Sequence, residues 1–243
     1  MKFKEFYKRY LTVRKCGGCR EILPFSESEN GLCERCLTRW NIAKTETCPD
    51  CAQSAVECTC MPKVLSKEGA LCLRKLYFYS PAKNKEPQNK LLYFLKKNRN
   101  KRMSAFLAEE LLSLLQSEID VLDIDGKSQC LIACVPRSKK AKNTYGFDQS
   151  VMVCRELSYI SGIPFCETIA RKKGGKEQKK LDKGKRLRNV KQLFEIAEPS
   201  AVSGKYVILF DDIVTTGASM SACASLLKNS GAKGIICLCV AKD

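Results

Sequence analysis

The sequence predicts an α/β domain with a mainly parallel sheet, preceded by a small cysteine-rich, zinc-ribbon-like module. Three observations carry that prediction. Short runs rich in branched and aromatic residues alternate with amphipathic helical stretches, the order that builds βα units. One run, residues 207–210, is apolar throughout, as expected of a strand covered on both faces of a parallel sheet. Eight cysteines fall into four close pairs between positions 16 and 60.

Length and composition set the limits. A chain of 243 residues fits one domain of ordinary size plus a small module. The polar stretch 61–69 is the expected boundary, giving a module over 1–66 and the α/β domain over 67–243. No run of 18 apolar residues occurs, so no membrane span is expected. The first 15 residues are basic and lack a signal-peptide core. Instead Phe3, Phe6, Tyr7, Tyr10 and Leu11 share one helical face, the pattern of a short docking helix. Sixteen cysteines without a signal segment point to a reducing cytoplasm and to metal binding rather than disulfides. Histidine is absent. Any zinc site must therefore use thiolates, and Ser-His or Cys-His hydrolase chemistry is excluded. The net charge of +17 is concentrated: residues 171–191 hold 11 basic and 2 acidic side chains, residues 83–102 hold 8 and 1. Such segments attract nucleic acid or polyphosphorylated small molecules.

Taken in order, Cys16 and Cys19, Cys33 and Cys36, and Cys48 and Cys51 are CxxC pairs, and Cys58 with Cys60 is a CxC pair. A CxxC turn supplies two thiolates to one tetrahedral ion, and two such turns complete a Cys₄ zinc site. The spacing leaves open two ions with four ligands each, or one ion with four spare thiols. Either way the sites are closed and structural, and the segment needs metal to fold. The other eight cysteines lie in apolar surroundings and read as small buried hydrophobes. Residues 71–79 read as a strand, 89–97 and 103–116 as helices, and 130–135 as a strand ended by Pro136. Arg137, Lys139, Lys140 and Lys142 form a basic loop before a helix over about 147–161. A strand is expected over 163–170. Residues 171–191, with Gly174, Gly175 and Gly184, read as a long mobile loop able to close over a pyrophosphate. Further strands follow at 193–196, 207–210 and 235–240, with a helix from about 221 to 227 closed by Gly231.

The central strand ends on Asp211 and Asp212. The turn beyond, Thr215, Thr216, Gly217, Ala218 and Ser219, places three hydroxyls and backbone N–H groups at a helix N-terminus, where an anion binds. Ligands of open α/β sheets lie at the carboxyl ends of the strands. Carboxylates suit sugar hydroxyls, whose oxygens also hold Mg²⁺. The combination points to a sugar 5-phosphate, with phosphate in the turn and diol on the acid pair.

Residues 207–219 closely resemble the 5-phosphoribosyl-1-pyrophosphate (PRPP) motif of type I phosphoribosyltransferases. That resemblance implies that Asp211 and Asp212 are the catalytic acids and bind the ribose hydroxyls of Mg-bound PRPP. It places Ile213, Val214, Thr215, Thr216, Gly217, Ala218 and Ser219 along the binding loop, with Arg137 meeting the pyrophosphate. With its cysteine module the whole chain resembles the ComF family of bacterial competence proteins. Tyr79-Ser80-Pro81, Leu95-Lys96, Val135-Pro136, Gly146-Phe147-Asp148-Gln149, Gln178, Leu181, Arg186-Leu187-Arg188-Asn189-Val190 and Phe194 carry that likeness. Tyr145 and Asp148 depart from the family's usual Arg and Asn. The resemblance implies structural Zn²⁺, Mg²⁺ with PRPP, a cytoplasmic role in DNA uptake, and single-stranded DNA and competence-machinery proteins as partners. Two readings follow: a phosphoribosyl (glycosyl) transferase that releases pyrophosphate, or a PRPP-sensing, DNA-binding or adaptor protein on the same fold.

Overall fold

A computed structural model describes residues 14–24, 31–83, 85–172 and 192–243. The expected docking helix and nearly all of the 171–191 loop lie outside the described residues, as do Gln178, Leu181 and residues 186–190.

Helix α1 (Glu34–Lys44) and the short α2 (Lys63–Lys67) precede strand β1 (Ala70–Phe78). Helices α3 (Pro87–Lys97) and α4 (Lys101–Leu122) follow, then β2 (Cys130–Cys134) and α5 (Gln149–Ser161). A minor hairpin, β3 (Ile169–Arg171) with β4 (Phe194–Ile196), leads to β5 (Tyr206–Val214), α6 (Ala218–Asn229) and β6 (Gly234–Lys242). The main sheet has the order β1-β6-β5-β2, and all three pairings are parallel. No helix among the described residues is long and apolar enough to cross a membrane.

Side-chain alternation along β5 explains the layers. Ile208 and Phe210 join the cluster formed with α3, α4 and α5, whereas Val207 and Leu209 join the opposite cluster under α6. Both faces are covered, which is why the run at 207–210 is apolar without a break. The first cluster also contains Cys16, Leu23, Leu32, Cys36 and Trp40. Trp40 is 1% exposed and packs edge-on against Tyr77 at 5.6 Å and Phe106 at 5.3 Å. Its Nε1–H donates to Glu110 Oε2 at 2.9 Å. The cysteine-rich segment thus shares a core with the sheet domain.

Three elements differ from expectation. The strand predicted at 207–210 runs on to Val214, with Asp211 paired to Cys239 and Ile213 to Ala241 of β6. Backbone pairing with β6 carries it past the end of the apolar run. The strand predicted over 163–170 reduces to a single parallel bridge between Phe165 and Ile132 of β2, while Ile169–Arg171 pairs with β4. Pro164 has no N–H to give a ladder, and only its carbonyl is used, accepting from Ile132 N at 2.8 Å. The polar stretch 61–69 contains α2, whose Leu65 is fully buried against the α6 face of the sheet.

Candidate functional site

Parallel strands bring their carboxyl ends to one edge, and β5 delivers Asp211 and Asp212 there. Each carboxylate accepts the next residue's backbone N–H: Asp212 N donates to Asp211 Oδ1 at 2.9 Å, and Ile213 N to Asp212 Oδ1 at 2.7 Å. Those bonds fix one oxygen of each acid. The second oxygen of Asp212 accepts Gln149 Nε2 at 2.6 Å and lies 3.3 Å from Lys96 Nζ. Asp211 retains some solvent access, yet the surrounding protein desolvates its carboxyl. Burial, with the charge of Asp212 beside it, pushes Asp211 well above the usual carboxylate range. An acid pair of this kind is relieved by hydroxyl donors or by a cation.

The turn beyond β5 opens α6. Gly217 is the N-cap, at φ +75°, and no side chain caps the helix. Thr216 Oγ1 approaches Ala218 N only at 3.4 Å. First-turn N–H groups at such an end are available to an anion. Thr215 and Thr216 are exposed, Ala218 and Ser219 half-buried, and Ile213 and Val214 continue the strand. Gly217 is required twice over. Its backbone is left-handed, and a Cβ there would sit 3.2 Å from Pro62 Cγ and 3.4 Å from Val64 Cγ2. Ser221 Oγ also donates to Val64 O at 3.0 Å. The segment between Cys60 and β1 therefore packs directly on the phosphate-type turn.

Arg137 follows β2 and enters from the other side. Its Nη2 donates to Lys96 O at 3.1 Å, its backbone N to Asp148 Oδ2 at 3.4 Å, and its guanidinium carbon lies 5.1 Å from the Tyr145 ring centroid. Its Nη1 is buried with no hydrogen-bond partner among the described residues. Asp148 also caps α5 through Ser150 N at 3.1 Å and pairs with Lys142 Nζ at 3.2 Å. The residues at the two departures, Tyr145 and Asp148, thus serve to hold Arg137. Lys96 and Gln149 had no assigned role from the sequence. Their place in a shared Leu-Lys and Gly-Phe-Asp-Gln pattern was the available signal; the fold brings both onto Asp212.

The eight paired cysteines form two groups, Cys16, Cys19, Cys33 and Cys36, and Cys48, Cys51, Cys58 and Cys60, with the sulfurs of each group within 4.8 Å of one another. The geometry resolves the partition left open by spacing, in favour of four ligands per group. Arg20 (φ 71°) and Ala52 (φ 59°), each just after a CxxC pair, take the left-handed turn that brings both thiols to one side. Burial acts to raise the Cys16 thiol, but N–H groups of Cys19, Cys33 and Gly18 bring it down to about 7. Cys58 is also opposed by burial and falls to about 7, chiefly through the Lys75 ammonium. Cys60 is pushed up to about 12, first by its hydrogen bond with Cys51. Four thiols that cannot ionise together without a cation, in an all-sulfur set, fit zinc. The second group is seated on β1: the fully buried Lys75 donates from Nζ to Cys58 O at 2.7 Å, and Arg74 Nη2 to Val56 O at 2.7 Å.

Residues 148–243 match the model of the phosphoribosyl transferase domain. The DNA utilization protein YhgH of Salmonella typhimurium is 29% identical over 234 residues, covering 92% of this chain and 96% of that protein. The YhgH of Escherichia coli strain K12 is 27% identical over 232 residues, with the same coverage. Among solved structures, glutamine PRPP amidotransferase from B. subtilis, complexed with ADP and GMP, aligns at 16% identity and a TM-score of 0.37. That alignment covers 57% of this chain and 25% of the amidotransferase. The sheet order, the acid pair before the turn and the matched domain together describe a parallel-sheet α/β fold of the type I phosphoribosyltransferase kind, preceded by two cysteine clusters that fit zinc.

Proposed function

We propose that the chain binds Mg²⁺-PRPP at the carboxyl edge of β5 and acts as a ComF-like protein in cytoplasmic DNA uptake. The observation that carries this reading is the convergence of four groups. Asp211 and Asp212 stand ready for the ribose diol, and the turn from Thr215 to Ser219 offers N–H groups for the 5-phosphate. Lys96 reaches the acid pair, and Arg137, whose Nη2 donates to Lys96 O, keeps a buried Nη1 with no partner among the described residues.

Transfer of the phosphoribosyl group to an acceptor breaks the C1–pyrophosphate bond. Such a step needs a fixed diol and 5-phosphate, with charge neutralised on the leaving group. Asp211 and Asp212 orient the ribose, the turn anchors the phosphate, and Arg137 and Lys96 meet the pyrophosphate. Mg²⁺, when bound, supplies charge neutralisation on the pyrophosphate. The two cysteine groups hold structural Zn²⁺, with residues 1–66 as the metal module and 67–243 as the PRPP domain.

The test is thermal stabilisation by PRPP, with and without Mg²⁺, on zinc-loaded protein. A ligand at 100 times its Kd stabilises by about 2.7 kcal/mol, roughly 5–10 °C for a chain of this size. A Mg²⁺-dependent rise that disappears in Asp211→Asn/Asp212→Asn supports the reading. No rise in the native protein rejects it.

A second reading is favoured by the similarity to proteins named for DNA utilization and by the net charge of +17. Here the same fold senses PRPP and binds single-stranded DNA or competence-machinery proteins. Pyrophosphate release separates the readings, because only a transferase must turn over.

A further inference from the structure

A cavity of about 470 Å³ lies between the first cysteine group and the junction of α3 with α4. Six cations line it: Arg14, Lys15, Arg20, Arg99, Lys101 and Arg102. No carboxylate among the described residues does. Phe94 forms part of the wall, and the Arg20 guanidinium lies 4.2 Å above its ring, a flat cation–aromatic platform.

The fold compensates part of this charge, since Lys101 Nζ pairs with Glu156 Oε1 at 3.7 Å, but it leaves the cost at Arg102. Lys101 and Arg102 occupy the first turn of the 22-residue α4, where cations oppose the helix dipole and acids are preferred. Asn100 already caps that helix, accepting from Met103 N at 3.1 Å. Arg102 is further disfavoured as a cation, first by burial and then by the charge of Arg14. Each of these costs is offset by an anion in the cavity. A compact phosphate engages only part of a site with six cations around a stacking surface. A nucleic-acid strand presents a row of phosphates together with base faces.

We propose that this cavity is a single-stranded nucleic-acid site, with the backbone across the six cations and a base stacked on the outer plane of the Arg20–Phe94 pair. Duplexes keep their base faces in the stack, so only an unpaired strand uses both features. The site locates the nucleic-acid partner of the second reading above, and it is separate from the phosphate turn. Phe94 and Lys96 are two residues apart on α3, so one faces the cavity while the other reaches Asp212. A bound strand therefore lies about one helix diameter, roughly 10 Å, from the acid pair.

The test is fluorescence anisotropy of a labelled 15-mer of deoxythymidine with full-length, zinc-loaded protein over a salt series. Arg20→Glu/Arg102→Glu is expected to weaken binding at least tenfold. It is also expected to lower the salt slope by about 1.4, at roughly 0.7 for each phosphate no longer neutralised. Phe94→Leu keeps an apolar wall but removes the aromatic face, and is expected to lose fivefold or more. Lys67→Glu/Lys233→Glu makes the same charge change at exposed positions elsewhere and is expected to lose less than threefold. PRPP-induced thermal stabilisation, measured on every variant, reports the phosphate turn separately; its absence in the native protein rejects the PRPP reading and leaves this proposal standing. If Arg20→Glu/Arg102→Glu does not fold, the exposed pair Lys15→Glu/Arg99→Glu replaces it. Absence of binding by the native protein overturns the proposal. So do equal losses in cavity and control variants, and equal affinity for a duplex of the same length.

Discussion

Replacing Gly217 with alanine separates two costs that the structure places on one residue. The first is backbone conformation: φ is +75°, where a Cβ costs about 1–2 kcal/mol. The second is space, since the new Cβ would meet Pro62 at 3.2 and 3.3 Å and Val64 at 3.4 Å. These distances demand shifts of a few tenths of an ångström in a ring with little freedom, so the cost falls near the low end of overpacking, about 1 kcal/mol. Gly204 isolates the first cost, because its φ is +73° and nothing lies within 4 Å of its Cβ position. Gly204→Ala is therefore expected to lower the melting temperature by roughly 2–8 °C, at about 2–4 °C per kcal/mol. Gly217→Ala should lower it by a further 2–4 °C or so, on the same scale. The functional consequence follows from position. If the turn moves away from Pro62, the N–H groups at the start of α6 no longer converge, and the PRPP-induced stabilisation should vanish in Gly217→Ala but persist in Gly204→Ala. Melting curves with and without Mg²⁺-PRPP provide the assay. Equal melting temperatures for the two variants, with PRPP stabilisation intact in both, would refute the packing argument and the assigned role of the turn together.

Other perturbations probe the remaining interactions. Asp211 has a raised pKa in the fold, so its contribution to stability is complete below the usual carboxylate range and is lost as pH rises through the raised value. Asp211→Asn should flatten that pH dependence and raise the ligand-free stability at neutral pH by about 1 kcal/mol, a gain checked by denaturant melts. Lys96→Met breaks an ion pair whose side chains are only 28% and 16% exposed. It should cost about 1–3 kcal/mol of stability and abolish most PRPP stabilisation; intact PRPP binding would remove Lys96 from the site. Chelation should release two zinc ions per chain and abolish cooperative melting. Because protons compete with zinc for the eight thiols, zinc retention should weaken as pH falls, as followed with a metal indicator. Trp40→Phe trims a fully buried ring and removes the indole donor to Glu110, whose Oε2 still accepts from Lys44 Nζ at 2.7 Å, at a cost of about 1–2 kcal/mol in a denaturant melt.

Legibility in the sequence followed the range of the interactions involved. The 207–219 run was readable because its signals are local: an unbroken apolar strand, two adjacent acids, three hydroxyls and a glycine that the turn requires. The cysteine pairs were readable for the same reason. Their partition was not, because spacing alone does not say which pairs share an ion. Lys96 and Gln149 reach Asp212 from other elements, Gln149 from 63 residues away, and no periodicity encodes that meeting. Lys75 is harder still. A lysine in a strand with both faces covered contradicts the pattern expected of a buried strand, and it is accommodated because Cys58 O accepts from it. The stretch at 163–170 misled through composition, with Ile163, Phe165 and Ile169 outweighing one proline that removes the ladder donor. The 61–69 stretch misled in the opposite way, since its burial rests largely on Leu65.

That last segment bears on how metal and ligand communicate. Cys60 closes the second cysteine group, Pro62 and Val64 press on Gly217, and Leu65 is locked beneath the α6 face, all within six residues. Lys75 ties the same cysteine group to β1, which pairs with β6, and β6 pairs with the strand that carries Asp211. Two short covalent and hydrogen-bonded paths thus join one metal group to both halves of the candidate PRPP site, the turn and the acid pair. The first cysteine group instead meets α3 and α4 around the cationic cavity, with Gly17 against Leu91 and Met103. Disrupting one group should therefore not mimic disrupting the other. Cys60→Ser is expected to weaken PRPP stabilisation more than binding of the deoxythymidine strand, and Cys19→Ser to do the reverse. If both variants lose both activities in parallel, the two groups act only as a common folding clamp and the separate paths carry no functional weight.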